Sequence, residues 1–342
     1  MASSLLKINL QTIHNSKHSF QLQHQTTTPF PSLPFSTQNQ NHHSNLSIFP
    51  SKSLHRAKVR PPSVVKSSLS SSTPPTSKEE AILQAKTSLS TILSKPLNNP
   101  KLAGKLKKLK QPRFRVEIPL VDDSPTSLSQ LALEVFGEIP IRRKGFPVKI
   151  MILWQNPSLT EAAIEAFESL SSNLVEQFDI SSITTNDDTR VLNSAEVAVF
   201  MAPEASELAV MKGVADSLYP KPVVIFNPRW GFEEESSFGE LGGFVGSFEV
   251  VYSFMGLEVR GVLSKRKGVI FKCVRDGVLS GEKWNVFVEE EEGELKVVSS
   301  FKARPSIVEV ENVLYNLMAM NSPVTKSAKF LKDLVSNVTG RK

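Results

Sequence analysis

Val148-Lys149-Ile150-Met151-Ile152-Leu153-Trp154 is a mostly apolar run of strand length, and Asn156-Pro157-Ser158 directly after it starts a helix. Asn is a favoured helix cap and Pro suits the first helical position. The helix is expected to turn Ala163, Ile164, Phe167 and Leu170 inward. The same strand–helix rhythm continues with a strand candidate over 178–183, another at Val197–Met201, and a helix over about 204–218. Val223–Phe226 follows, short and apolar between Pro222 and Asn227-Pro228. Successive strand side chains point to opposite faces, so runs without polar alternation need both faces covered. Such strands, separated by helices, belong to a parallel sheet.

After Trp230 the rhythm changes. Apolar stretches over 248–259, 269–274, 284–288 and Leu295–Phe301 are separated by Gly or charged turns with no helix between them. That spacing predicts an antiparallel meander continuing the same sheet. A helix over 306–320 places Ile307, Val310, Val313, Leu314, Leu317 and Met318 on one stripe. The fold class expected is α/β, a Rossmann-like three-layer sandwich whose parallel sheet is extended by an antiparallel β-meander.

Upstream, Ser77 and Glu80 have capping-box spacing and open a helix to about Lys95, where Pro96 and Asn98-Asn99-Pro100 break the chain. A strand over 114–120 and a helix from Asp123-Ser124-Pro125 to about Phe136 follow. The chain thus divides into a disordered leader (1–66), a helical and basic linker segment (67–111), the α/β domain (112–322) and a helical tail (323–342), which presents Phe330, Leu331, Leu334 and Val338 on one face.

The 342 residues carry a net charge of +6, unevenly distributed. Residues 1–78 hold eight Lys or Arg, no Asp or Glu, 24 Ser or Thr and all six histidines. Beyond them 32 basic residues face 34 acidic ones. A Ser-rich, acid-poor start has the composition of an organellar transit peptide. The first arginine is Arg56, which favours a chloroplast address over a mitochondrial one, with cleavage expected around residues 58–70. No window approaches the 18 apolar residues a membrane-spanning helix needs. Lacking histidine, the remaining chain supports no His-based triad, general base or metal site. One cysteine, Cys273, excludes a disulfide framework, and its place in an alternating strand makes it a buried small residue.

Parallel sheets bind ligands beyond the carboxyl ends of their strands. The crevice candidates there are Asn156, Asp187, Asp188, Asn227, Arg229 and Trp230. Arg229 and Trp230 could clasp an anion or an aromatic group; the competing reading has Trp230 packed and Arg229 paired locally. Asp187-Asp188 and Asp122-Asp123 suit either a Mg²⁺–phosphate site or turns and caps. Gly239, Gly242, Gly243 and Gly246 cluster too late in the sheet for a phosphate loop. Four glutamates over 289–292 suit a solvated hairpin tip. No catalytic residue, cofactor or metal is assigned.

Between Lys101 and Arg115 there are seven basic residues and no acidic one. Lys101, Lys105, Lys107, Lys108 and Lys110 surround Leu102, Leu106 and Leu109, a pattern open to membrane-surface contact, partner docking or a solvated linker. The stretch 101–113 has no aromatic residue for base stacking, so nucleic acid is not expected.

PRFRVEIPL over 112–120, VVIFNPRW over 223–230, FEVVYSFMGLEVRG over 248–261 and KGVIFKC over 267–273 resemble a family of plant and cyanobacterial proteins. It includes the chloroplast Low PSII Accumulation assembly factors, and a similar domain is fused to a plastid adenylate kinase. The likeness covers about residues 112–320 and brings no catalytic residue with it. It implies a non-catalytic role in photosystem II assembly at the stromal face of the thylakoid, with the chlorophyll-binding core antenna subunit as one candidate client. Implied partners are photosystem II subunits or other assembly factors, with peripheral thylakoid contact. The alternative is a plastid enzyme or sensor binding a nucleotide or phosphometabolite in the crevice.

Overall fold

The computed structural model describes residues 7–10, 73–98, 111–120, 122–170, 173–184, 192, 194–260, 265–279, 281–290 and 293–321. In chain order the elements are β1 (Lys7–Leu10), α1 (Lys78–Asn98), β2 (Arg113–Glu117), α2 (Pro125–Phe136), β3 (Arg142–Arg143), β4 (Phe146–Pro147), β5 (Ile150–Trp154), α3 (Pro157–Phe167) and β6 (Val175–Asp179). Then come β7 (Val197–Met201), α4 (Leu208–Ser217), β8 (Val223–Phe226), α5 (Gly242–Val245), β9 (Glu249–Arg260), β10 (Lys265–Cys273), β11 (Trp284–Glu289), β12 (Leu295–Phe301) and α6 (Ile307–Asn321).

One large sheet runs β12-β11-β10-β9-β2-β8-β7-β5-β6. The six strands from β9 to β6 pair in parallel. The strands from β9 to β12 pair antiparallel, as the meander predicts. The α/β sandwich expected from the apolar runs is therefore present, with β2 at its centre. β1 pairs antiparallel with the far half of β9, opposite Leu257 to Arg260. The expectation of a wholly disordered leader is corrected by this strand, which occupies an edge that β2, pairing only as far as Ser253, leaves open.

One face of the sheet carries most of the core. Phe114, Val116, Ile152, Trp154, Val199, Phe226, Phe254 and Phe271 meet α1, α2 and α3 there. On the opposite face α4 and Trp230 cover Met151, Leu153, Phe200 and Ile225. Farther along it, Val310 and Leu314 of α6 cover Leu257, Ile270, Trp284 and Val286.

Helix α1 corrects the expected boundary at residue 112. Ala81, Ala85, Ser88, Leu89 and Leu93 are buried at helical spacing, so α1 is part of the domain core and not of a linker. The small residues let the helix lie close to the sheet: Ser88 Oγ is 3.4 Å from Cys273 Sγ. Burying Leu89 and Leu93 stabilises the fold by about 2 kcal/mol each. Ser77 caps the helix as expected, its Oγ accepting from the Glu80 N–H, while the Glu80 carboxylate reaches one residue beyond the cap and accepts from the Thr76 N–H. Pro96 does not break the helix. It removes a single N–H in the last turn, and α1 continues to Asn98.

Two smaller expectations also change. The strand expected over 178–183 is Val175–Asp179, because Val175 pairs opposite Ile150 and the Asp179 carboxylate turns back to accept from Ser181. Ile164 is 47% exposed, so the inward face of α3 is Leu159, Ala163 and Phe167. The expected tail helix over 323–342 lies outside the described residues.

Candidate functional site

The order of the sheet makes β5 and β7 its switch point: β6 lies on one side of β5, and the chain then returns to place β7 on the other. Ligands of such sheets bind at that carboxyl end. Here several of the end's own residues are engaged by the fold. Asn156 caps α3, accepting from the Leu159 N–H at 3.0 Å. The Gln155 side-chain amide donates to the carbonyl of Ala202, the left-handed residue (φ 48°) that ends β7.

Asn227 ends β8 in the same left-handed region, φ 48°, where Asn is tolerated better than most residues. It is 4% exposed. Its Oδ1 accepts from the Ile118 N–H at 2.7 Å and its Nδ2 donates to the Ile118 carbonyl at 3.0 Å. The side chain therefore extends the β2–β8 pairing by one rung and is buried there, out of reach of a ligand. Backbone N–H groups that could cradle a phosphate are likewise spent: Ala202 donates to Phe226, Asn227 to Val116, and Arg229 to Pro203.

The Arg229 guanidinium lies 3.4 Å from Glu204, 3.7 Å from the Asp123 carboxylate and 3.3 Å from the Asp123 carbonyl. Trp230 is 2% exposed, edge-on to Phe238, with its indole N–H donating to Glu235. Of the two readings of this pair, local pairing and packing is the one observed. The crevice is also acidic. Burial, reinforced by the neighbouring Glu204 and Asp179, pushes the Glu207 carboxyl up. One guanidinium among Asp123, Asp179, Glu204 and Glu207 does not make an anion site. Asp122 accepts from the Ser124 N–H at the start of α2, so the Asp122-Asp123 pair is a turn. Asp187 and Asp188 lie outside the described residues. Among those residues no group of His, Cys, Asp or Glu is arranged to hold a metal ion.

The unexpected feature sits on β2. Its alternation puts Phe114 and Val116 on the apolar face and Arg113, Arg115 and Glu117 on the other, between the patches covered by α4 and α6. Arg115 is 3% exposed and Glu117 7%. Glu117 Oε1 lies 2.7 Å from Arg115 Nε, off the N–H axis, and 2.9 Å from Arg304 Nη1. Its Oε2 accepts from the Ser253 hydroxyl at 2.5 Å. Glu235 pairs with the other side of Arg115. Aromatic rings surround the charges: the Arg304 guanidinium is 4.6 Å from the Phe232 ring and 5.3 Å from Trp284, and Lys272 lies 5.5 Å over Trp284.

Burial alone would raise the Glu117 carboxyl, but Arg304, Arg115 and the Ser253 hydroxyl hold it down at about 2. Burial would lower Arg115, yet Glu117 and Glu235 raise it. Both groups stay charged across the physiological range, so neither exchanges a proton near neutral pH. Two guanidiniums and two carboxylates compensate each other and tie β2, the 232–235 turn and the approach to α6 into one unit. Arg-Phe-Arg-Val-Glu shows the signal in hindsight, since alternate charges on a central strand must find buried partners.

The opposite, amino-terminal edge of the parallel strands carries Arg113, Arg142, Arg143, Lys144 and Lys149, of which Arg113, Arg143 and Lys149 pair with Asp216, Glu196 and Glu176. Lys101, Lys105, Lys107, Lys108 and Lys110 lie outside the described residues, but both flanks of that stretch are held at this edge. Asn98 bonds to Arg142 and Lys144. Gln111 donates to the carbonyls of Ala215 and Lys221. Among the described residues no helix is long and apolar enough to cross a membrane.

No curated protein matches the chain. A family model described as a domain of unknown function, DUF1995, matches residues 75–312, from the cap of α1 into α6, and the chain belongs to that family.

Proposed function

We propose that this protein is a non-catalytic assembly factor that assists photosystem II biogenesis at the stromal face of the thylakoid. The observation that carries the reading is the acidic carboxyl end of the sheet, where Asn227 and Trp230 are buried in the fold, Asn156 caps α3 and Arg229 is paired with Asp123 and Glu204. A chain whose crevice is filled by its own side chains works through its outer surface. The acid-free Ser/Thr-rich leader supports a chloroplast address, and the resemblance of segments such as 112–120 and 223–230 to Low PSII Accumulation factors supports the client. Partners are photosystem II subunits or other assembly factors, and Lys101 to Lys110 supply peripheral membrane contact. Neither cofactor nor nucleic acid enters the role.

The test is affinity purification of the tagged protein from chloroplasts with identification of the subunits recovered. Photosystem II subunits or assembly intermediates are expected, with a thylakoid-bound fraction released by salt or alkaline wash. Recovery solely as free stromal protein refutes the proposal. The rival, a nucleotide- or phosphometabolite-binding enzyme or sensor, requires the melting temperature to rise with such ligands. A flat response across nucleotides and sugar phosphates is expected.

A further inference from the structure

The β3–β4 hairpin is two residues per strand, closed by Lys144 and Gly145 at φ 51° and 89°. This is the two-residue turn that favours Asn-Gly. Lysine in its first position is a poor choice for the backbone, so the charge there has another use. Phe146 is the most exposed large apolar side chain described, at 75%. It stands at the hairpin turn among exposed Arg142, Arg143, Lys144 and Pro147. Of these cations Arg143 is paired, with Glu196 at 2.8 Å. Arg142 reaches only the Gly145 carbonyl, and Lys144 has no carboxylate at ion-pair distance among the described residues. The hairpin leads directly into β5, so it projects from the amino-terminal edge of the parallel strands. Leu174 and Tyr219, 37% and 54% exposed, precede β6 and β8 on the same edge. The opposite edge carries Asp123, Asp179, Glu204 and Glu207.

We propose that the Arg142–Pro147 hairpin is a membrane-docking tip that inserts Phe146 into the interface of an anionic lipid surface while Arg142 and Lys144 meet the headgroups. The exposure favours lipid over a protein partner: a phenyl group standing clear of the surface on a two-residue turn fits a deformable interface, whereas protein partners receive such anchors from a preformed pocket. The charge polarity of the molecule agrees, since the acidic edge is then turned away from the negative surface. This deepens the membrane contact proposed above and gives it a described structural element.

The test is co-sedimentation of the full chain with phosphatidylcholine vesicles, with and without phosphatidylglycerol. Binding is expected only with phosphatidylglycerol. Lys144→Asn, which suits the left-handed turn better than lysine, should weaken it about fivefold. Phe146→Ser, at an exposed position that should leave the melting temperature unchanged, should weaken it about tenfold or more. Lys296→Ala on the β11–β12 hairpin, 68% exposed, is the control and should bind as the parent does. The leader's basic residues are common to all four proteins, so differences among them read the hairpin. Equal binding by all, or no preference for anionic vesicles, overturns the proposal. So does a parent that ignores vesicles but loses a protein partner on Phe146→Ser, which makes the tip a protein contact. The vesicles contain no photosystem subunit, so failure here is separable from failure of the assembly role.

Discussion

Replacing Glu117 by Gln keeps the shape of the side chain and removes the charge between two buried guanidiniums. Truncating one partner of a buried ion pair costs about 3–5 kcal/mol, because the remaining charge is left without compensation. The pKa gives an independent figure. Glu117 falls from 4.5 to about 2 on folding, which is worth about 3 kcal/mol at neutral pH. A depressed carboxyl pKa contributes stability that is complete above the unfolded value and disappears as pH falls through the folded one. The difference between parent and Glu117→Gln should therefore be about 3–5 kcal/mol at pH 7 and shrink steadily between pH 5 and pH 2. Urea unfolding at a series of pH values reads this as a shift in midpoint at constant slope. A variant within about 1 kcal/mol of the parent at pH 7, or a difference that does not change with pH, would show that the Arg115–Glu117–Arg304 cluster does not hold the two apolar patches together.

Asn227→Ala should destabilise by about 3 kcal/mol, since it unpairs the Ile118 N–H and carbonyl and leaves a left-handed residue without its side-chain support; thermal melting measures it. Gly268→Ala should cost at least as much, because a Cβ there would sit 2.2 Å from the Phe287 carbonyl oxygen and 3.0 Å from Leu257. The readout is the soluble yield and melting temperature, and near-parent behaviour would mean that β10 and β11 separate easily at that rung.

The parallel half of the sheet was legible because Ile150–Trp154, Val197–Met201 and Val223–Phe226 are buried on both faces and so carry no polar alternation. The meander was legible from Gly and charged turns. What escaped reading was what depends on distant partners. Glu117 and Arg304 are 187 residues apart, and Arg115 and Glu235 are 120 apart, so nothing local announces their pairing. Asn227 looked like a ligand group because an Asn-Pro after a strand suits either a site or a turn; only the neighbouring strand decides that its amide completes a ladder. Helix α1 was set apart because Pro96 and the lysines after it read as a boundary, whereas Ala81, Ala85 and Ser88 are small enough to escape notice as core residues. Phe146 was missed because a single aromatic in a five-residue basic turn has no periodicity to detect.

The burial of α1 bears on maturation. Any protease that trims the amino terminus has to stop ahead of Thr76, whose N–H is held by Glu80, and Ser77, which caps the first turn. A cut farther in would strip the wedge formed by Ala81, Ala85 and Leu89 from the apolar side of the sheet. The position of that helix therefore acts as a ruler for processing: the buried residues from Pro74 through α1 mark how far any trimming can reach before the core is opened.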